Sequence, residues 1–220
     1  MSKKPNTIGS ATYQRIKRDI IFGELAPGTK LKLDGLRQRY DASMSTLRET
    51  LSRLSSEGFV AAEEQRGFFV TAVSREDLIE IANLRILLEC HALRLSIENG
   101  DADWEGNLVA AHHKLNLMEQ KMLAGGRDDD EQVETWKRYD WEFHLAMIAA
   151  CGSANLLSLH SILYDKYLRY QMLVLTYRGE EAVEEHHQMF KAALARDSDL
   201  SVSWLKTHIE KGLKHTLAAI

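Results

Sequence analysis

After the polar break Asp41-Ala42-Ser43, Leu47, Leu51 and Leu54 recur at spacings of four and three. An α-helix turns that spacing into a single apolar face. Ser43 has the chemistry of an N-cap, and Ser45, Thr46, Arg48 and Arg53 fall on the surfaces the leucines leave free. Hydroxyls and guanidiniums so arranged suit phosphates and base edges, but any surface helix has a polar side. The flanking segments have to decide between the two.

Upstream, Tyr13, Ile16 and Ile20 share a helical face from Thr12 to Phe22, with Gly23 as its stop signal. Pro27 and Gly28 mark a turn, Leu31 and Leu33 restart the apolar pattern, and a short helix is expected from Asp34 to Tyr40 with Arg37 and Arg39 outward. Downstream of Gly58, Phe59 and Val60 begin a strand, Glu63 to Gly67 turn the chain, and Phe68, Phe69 and Val70 bring it back. Helix, helix, turn, helix and hairpin make a winged helix-turn-helix. The third helix suits a major groove, and the hairpin tip with Arg66 suits a neighbouring groove or backbone.

Charge divides the same way. The net charge is −4, yet residues 1–73 hold 12 Lys+Arg against 8 Asp+Glu, and the remainder holds 16 against 24. A basic module that meets phosphate and an acidic one that does not are the expected partition. The expected boundaries are a flexible N-terminus over 1–10, a winged domain over 11–73 and an all-helical domain over 74–220.

In the second domain, apolar periodicity predicts helices from Ser74 to Glu98, Asp103 to Ala124, Glu131 to Cys151, Ala154 to Tyr177, Glu181 to Arg196 and Leu200 to His215, with GGRDDDE as a loop. The fold class is therefore mainly α. Cys90 and Cys151 both lie in apolar-periodic segments, no CxxC is present, no run approaches the roughly 18 apolar residues of a membrane span, and MSKKPNTIGS lacks a signal-peptide core. A cytoplasmic protein is expected.

Asp140 and His144 in YDWEFHLAMI stack on one helical face. That face continues through Trp136, Phe143 and Met147, so the carboxylate would be buried, which is costly without a partner. His186 shares a face with Met189, Phe190 and Ala193, and His208 lies near Leu205 and Ile209. Three histidines and an aspartate would suit Zn²⁺, Ni²⁺, Mn²⁺ or Fe²⁺ with positions left for water or an organic acid. Spacing alone favours separate, satisfied core or surface histidines over a shared site.

The segments IIFGELAPGTKL, SMSTLRETLSRLSSEGFV and RGFFV resemble the N-terminal signature of GntR-family bacterial transcription regulators, including LRE followed by Leu51. The resemblance implies DNA contacts from Ser43, Ser45, Thr46 and Arg48, and from Arg66 and Gly67 at the wing; Arg37, outward on the preceding helix, is a further DNA-contact candidate. Met44 stands where an arginine is common, and Thr46 where proline is common. LRILLE at Leu84 to Glu89, DWEFH at Asp140 to His144, EHHQMFKAALARD at Glu185 to Asp197, and His208 are similar to the FCD ligand-binding domain of the FadR-like branch. That similarity implies a divalent metal, zinc first, held by Asp140, His144, His186 and His208 beneath a small carboxylate effector. It makes Arg85 a candidate for the effector's carboxylate; the rival for Arg85 is an ion pair with Glu89. ENGDADWEG and KAALARDSD are similar to a member that regulates dicarboxylate-linked catabolism.

The expectation is thus a homodimeric regulator on pseudo-palindromic double-stranded DNA, a repressor released by an organic acid, with no membrane association and no enzymatic activity. A metal-dependent hydrolase using the same cluster is a rival, although no base is placed like the glutamate of HExxH. An effector-independent DNA-binding dimer is another.

Overall fold

A computed structural model describes residues 7–125, 130–174 and 178–220. The loop expected at GGRDDDE, the far N-terminus and the end of the helix expected to reach Tyr177 lie partly outside those residues. The chain forms two compact units. One comprises Met1–Asp77 with Asp165–Val174, and the other Leu78–Tyr164 with Leu175–Ile220.

In the first unit, α1 (Ile8–Ile21) begins earlier than apolar periodicity indicates, because Thr7 caps it by accepting from the Ser10 amide. Residues 8–10, expected to be loose, are therefore helical. α2 (Leu33–Tyr40) and α3 (Met44–Ser56) are joined by a turn in which Asp41 is left-handed. Ser43 caps α3 as expected, its Oγ accepting from Thr46 N at 3.1 Å. Ile16, Ile20, Leu47, Leu51, Leu54 and Phe59 are wholly buried and form the core, so the leucine stripe of α3 faces α1. Burying each such side chain is worth about 1.5–3 kcal/mol.

β2 (Val60–Glu63) and β3 (Gly67–Val70) form the wing hairpin, and β1 (Lys30–Leu31) adds to the far edge of β3, giving the order β1-β3-β2. β1 was not expected. Its two residues have no periodicity of their own and are fixed only by pairing with Phe68 and Phe69. Gly58 ends α3 with a φ of +82°, and a Cβ there would lie 2.6 Å from Lys166 Nζ. Any other residue would meet both backbone strain and that ammonium.

The second unit comprises α4 (Arg75–Asn99) from Leu78 onward, α5 (Ala102–Leu123), α6 (Asp130–Ile148), the first half of α7 (Ala154–Val174), α8 (Glu180–Leu194) and α9 (Ser198–Leu217). The most extensive packing pairs α5 with α6 and α8 with α9. Trp104 Nε1 donates to Ala146 O at 2.9 Å, tying α5 to α6 through the core. Cys90 and Cys151 are free thiols, and no helix is long and apolar enough to cross a membrane among the described residues.

Candidate metal centre and nucleic-acid interface

Four helical side chains converge inside the second unit. Asp140 and His144 come from successive turns of α6, His186 from α8 and His208 from α9. One ligand atom of each lies within 4.8 Å of all the others. Asp140, His144 and His186 are buried, and His208 is 13% exposed at its side chain. His187, one residue along α8, is only half-buried and lies 5.8 Å from His112, ring to ring.

The three imidazoles are oriented alike. Nδ1 of His144 donates to Glu89 Oε2 at 3.1 Å, Nδ1 of His186 to Glu119 Oε1 at 2.6 Å, and Nδ1 of His208 to Glu185 Oε2 at 2.9 Å. Arg178 Nη2 is 3.0 Å from the same His208 nitrogen, but an arginine only donates, and it is satisfied by Glu185 at 2.7 Å. His208 Nδ1 therefore keeps its proton and donates it to Glu185. A carboxylate on Nδ1 fixes the tautomer and leaves the Nε2 lone pair for the interior of the cluster, as in carboxylate–histidine–metal arrangements. Nε2 of His186 is buried, makes no hydrogen bond and lies 3.3 Å from Asp140 Oδ1. A buried imidazole nitrogen without a hydrogen bond, facing a carboxylate and two further imidazoles, fits a divalent cation that would take the place of a proton there.

Protonation follows the same geometry. Burial holds His144 and His208 below the ordinary histidine range, His208 by a wide margin, with His186 adding repulsion there. His186 is the exception. Burial disfavours its charge, but the carboxylates of Glu119 and Asp140 outweigh burial and raise it to about 9. Without an ion, a proton on His186 supplies positive charge to the cluster. Burial would raise Asp140, yet His186 and Lys137 hold it well below the usual carboxylate range.

Around the ligands lie groups that spacing did not single out. Tyr164 from α7 donates to Asp140 Oδ2 at 2.6 Å. Lys137, 5% exposed, is lowered to about 8 by burial, against the attraction of Asp140. His160, fully buried, has Nε2 3.1 Å from Glu89 Oε1. Glu119 had a readable signal: it interrupts the apolar stripe Leu115, Met118, Met122 at helical spacing, where an unpaired carboxylate would be costly. Arg85 is buried, its Nε donates to Glu89 Oε1 at 2.6 Å, and its guanidinium lies 4.5 Å from the centre of the Tyr164 ring. The ion pair considered for it is thus present, on the carboxylate that also orients His144.

In the first unit, Ser43, Ser45 and Arg48 are exposed on α3, and Thr46 is half-buried. Ser43 Oγ is 2.8 Å from Ser45 Oγ and 2.9 Å from Thr46 Oγ1, a cluster of hydroxyls at the helix N-terminus where anions are favoured. Arg48 makes no ion pair among the described residues. Arg37 is exposed on α2 beside Ser43, lining one concave surface with Asp34, Gln38 and Asp41. At the wing tip Arg66 pairs with Glu63 at 2.5 Å and is 71% exposed at its side chain, with Gly67 exposed beside it.

A winged helix-turn-helix followed by a helical domain with an internal Asp-His cluster defines a two-domain, DNA-binding transcription regulator. Residues 9–70 match the gntR family of bacterial regulatory proteins and residues 80–211 match the FCD domain, and the chain belongs to the GntR family with an FCD domain. It is 39% identical to the HTH-type transcriptional regulator BphR of Paraburkholderia xenovorans, over 92% of this chain and 82% of that one. It is 31% identical to the HTH-type transcriptional repressor GlaR of Escherichia coli, over 90% of each. The solved structure of E. coli McbR/YncC shares the fold, with a TM-score of 0.80 at 21% identity over 96% of this chain and 98% of that one. The family and these relatives are transcription regulators and not enzymes, which removes the hydrolase reading.

Proposed function

We propose that this regulator is a homodimeric repressor acting in the cytoplasm, released from a pseudo-palindromic operator when a small organic acid, a dicarboxylate first among candidates, reaches a divalent metal held by Asp140, His144, His186 and His208. The observation that carries the reading is the repeated orientation of the three histidines. Each Nδ1 is occupied by a buried glutamate, so each Nε2 is left for a cation. A bound ion, zinc in the first instance and Ni²⁺, Mn²⁺ or Fe²⁺ as alternatives, would supply Lewis-acid positions to an acid's carboxylate. Arg85 would add a bidentate donor from α4.

Ser43, Ser45, Thr46 and Arg48 would meet the major groove, Arg37 an adjoining phosphate, and Arg66 with Gly67 the flanking backbone. The repressor named among the relatives supports the direction of control. On α4, Ile79, Leu84 and Leu87 are exposed apolar side chains, Leu87 at 65%, and they offer a self-complementary surface to a second copy. The acid acts only by binding the DNA-competent and released forms unequally.

The test is a mobility-shift assay of the untagged chain on DNA from upstream of its own gene, with small dicarboxylates added in turn, beside light scattering for mass. Retarded DNA, a dimer mass and release by one acid class uphold the proposal. DNA binding that no acid changes in zinc-loaded protein overturns the effector part, and a monomer mass overturns the dimer.

A further inference from the structure

Two histidine pairs stand side by side in the chain, His112-His113 on α5 and His186-His187 on α8, and the Asp140 centre draws on only His186 of the four. Successive residues of a helix point about 100° apart, so His187 faces away from the cluster that His186 joins. It meets α5 instead. Its ring lies 5.8 Å from that of His112, with the planes 36° apart. The ring of Phe143 packs against both places, 5.7 Å from His112 and 5.6 Å from His186, and they have no ligand in common.

That spacing suits one ion held by both rings. An imidazole nitrogen ligates at about 2.0–2.1 Å, which sets the centres of two rings on one ion at most roughly 6.4 Å apart. The three histidines of the Asp140 centre give a second yardstick: their ring centres are 4.5, 5.3 and 6.0 Å apart, and 5.8 Å falls among them. Among the described residues neither His112 nor His187 makes a hydrogen bond, and both are half-buried, so their rings are reached from solvent. Phe190 holds His112 in place, stacked at 4.0 Å with the planes 3° apart. A phenyl ring would fill the same stack, so packing leaves the nitrogens unexplained. Burial and then His187 lower His112 to about 4, so at neutral pH its lone pair is available without loss of a proton.

We infer that His112 and His187 form a second cation site, a two-imidazole clip between α5 and α8 for a borderline divalent ion such as Ni²⁺, Cu²⁺ or Zn²⁺, with water completing the coordination. Imidazole selects these ions over Mg²⁺ and Ca²⁺, which take oxygen ligands. With two protein ligands against four, the clip holds its ion less tightly than the Asp140 centre. It fills under excess metal and empties on gel filtration. An ion there ties α5 to α8 two turns along α5 from Glu119, whose hydrogen bond to His186 joins the same helices. It binds the folded chain and stabilises it, because the unfolded chain does not hold the two rings together.

The test titrates Ni²⁺ alone into the untagged full chain and compares the wild type with His112→Phe, which keeps the stack on Phe190, with His187→Gln and with the double variant. Nickel entering the Asp140 centre touches neither residue, so that event is common to all four proteins and the comparison does not depend on the metal reading. In calorimetry the wild type should show a weaker binding event besides. Each single variant should weaken it by about tenfold or more, since losing a ligand costs at least as much as losing a group behind one. Losses in the double variant should fall well short of additive, because both rings serve one ion. In proton spectra of the wild type, paramagnetic Ni²⁺ should broaden the ring signals of His112 and His187 at the same concentration. A wild type without the weaker event, losses below about threefold, additive losses, or broadening of one ring without the other would each overturn the shared site. If His112→Phe does not fold, His187→Gln and the wild-type spectra decide.

Discussion

Nδ1 of His186 donates to Glu119 Oε1 at 2.6 Å, and both side chains are 1% exposed. This pair joins α5 to α8 and makes His186 more basic than an isolated imidazole. Glu119→Gln keeps an acceptor and the shape but removes the charge. Metal affinity should fall about 10- to 100-fold, the usual effect of losing a carboxylate behind a ligating histidine. Competition against a chromophoric chelator measures it, and an affinity within about twofold of the wild type would contradict the assignment of Glu119 as an orienting group.

Glu89 is fully buried and serves three partners: Arg85, His144 and His160. Glu89→Gln removes the carboxylate charge that the Arg85 guanidinium faces at 2.6 Å in the core. Breaking a buried pair from one side costs about 3–5 kcal/mol, so the urea midpoint should drop sharply. A loss below about 1 kcal/mol would mean that Arg85 is compensated elsewhere.

His112 stacks on Phe190 with ring centres 4.0 Å apart and planes 3° apart. Burial and then the neighbouring His187 lower it to about 4. Between that value and the ordinary histidine value near 6.5 the unfolded chain holds more protons than the folded one, so stability is lost as pH falls through this window. His112→Phe keeps the stack and removes the titration. The difference in Tm between pH 7 and pH 5 should shrink in the variant, and an unchanged difference would contradict the account.

The two arginines of the winged unit should differ in kind. Arg48 sits exposed on α3, whereas Arg66 sits at the wing tip. Arg48→Ala should relax discrimination at one base position by about 1–3 kcal/mol, while Arg66→Ala should weaken binding to all sequences and reduce the salt slope by about one. Fluorescence anisotropy across a salt series on operator and scrambled DNA separates the two effects. Identical behaviour of the two variants would contradict the assigned faces.

The winged unit was legible in the chain because its signals are local. Ser43 caps α3, the Leu47, Leu51, Leu54 stripe is buried, and the turn from Glu63 to Gly67 joins two strands. β1 was not, since Lys30 and Leu31 become a strand only through partners some forty residues away. In the helical unit, Asp140 and His144 announce themselves by their spacing of four. Tyr164 and His160 do not, because their contacts lie on other helices and no interval in the sequence records them. Glu89, Glu119 and Glu185 occupy an intermediate position. Each stands where its helix turns a buried face inward, and a charge in an apolar stripe is readable once the cost of burying it unpaired is considered.

Metal content bears most directly on the account. The untagged chain should be analysed by inductively coupled plasma mass spectrometry beside Asp140→Ala and His208→Ala, with circular dichroism to verify folding. Close to one divalent ion per wild-type chain is expected, with loss of that ion in both folded variants. A folded wild type without metal, or variants that retain it in full, would contradict the coordination of a cation by Asp140, His144, His186 and His208.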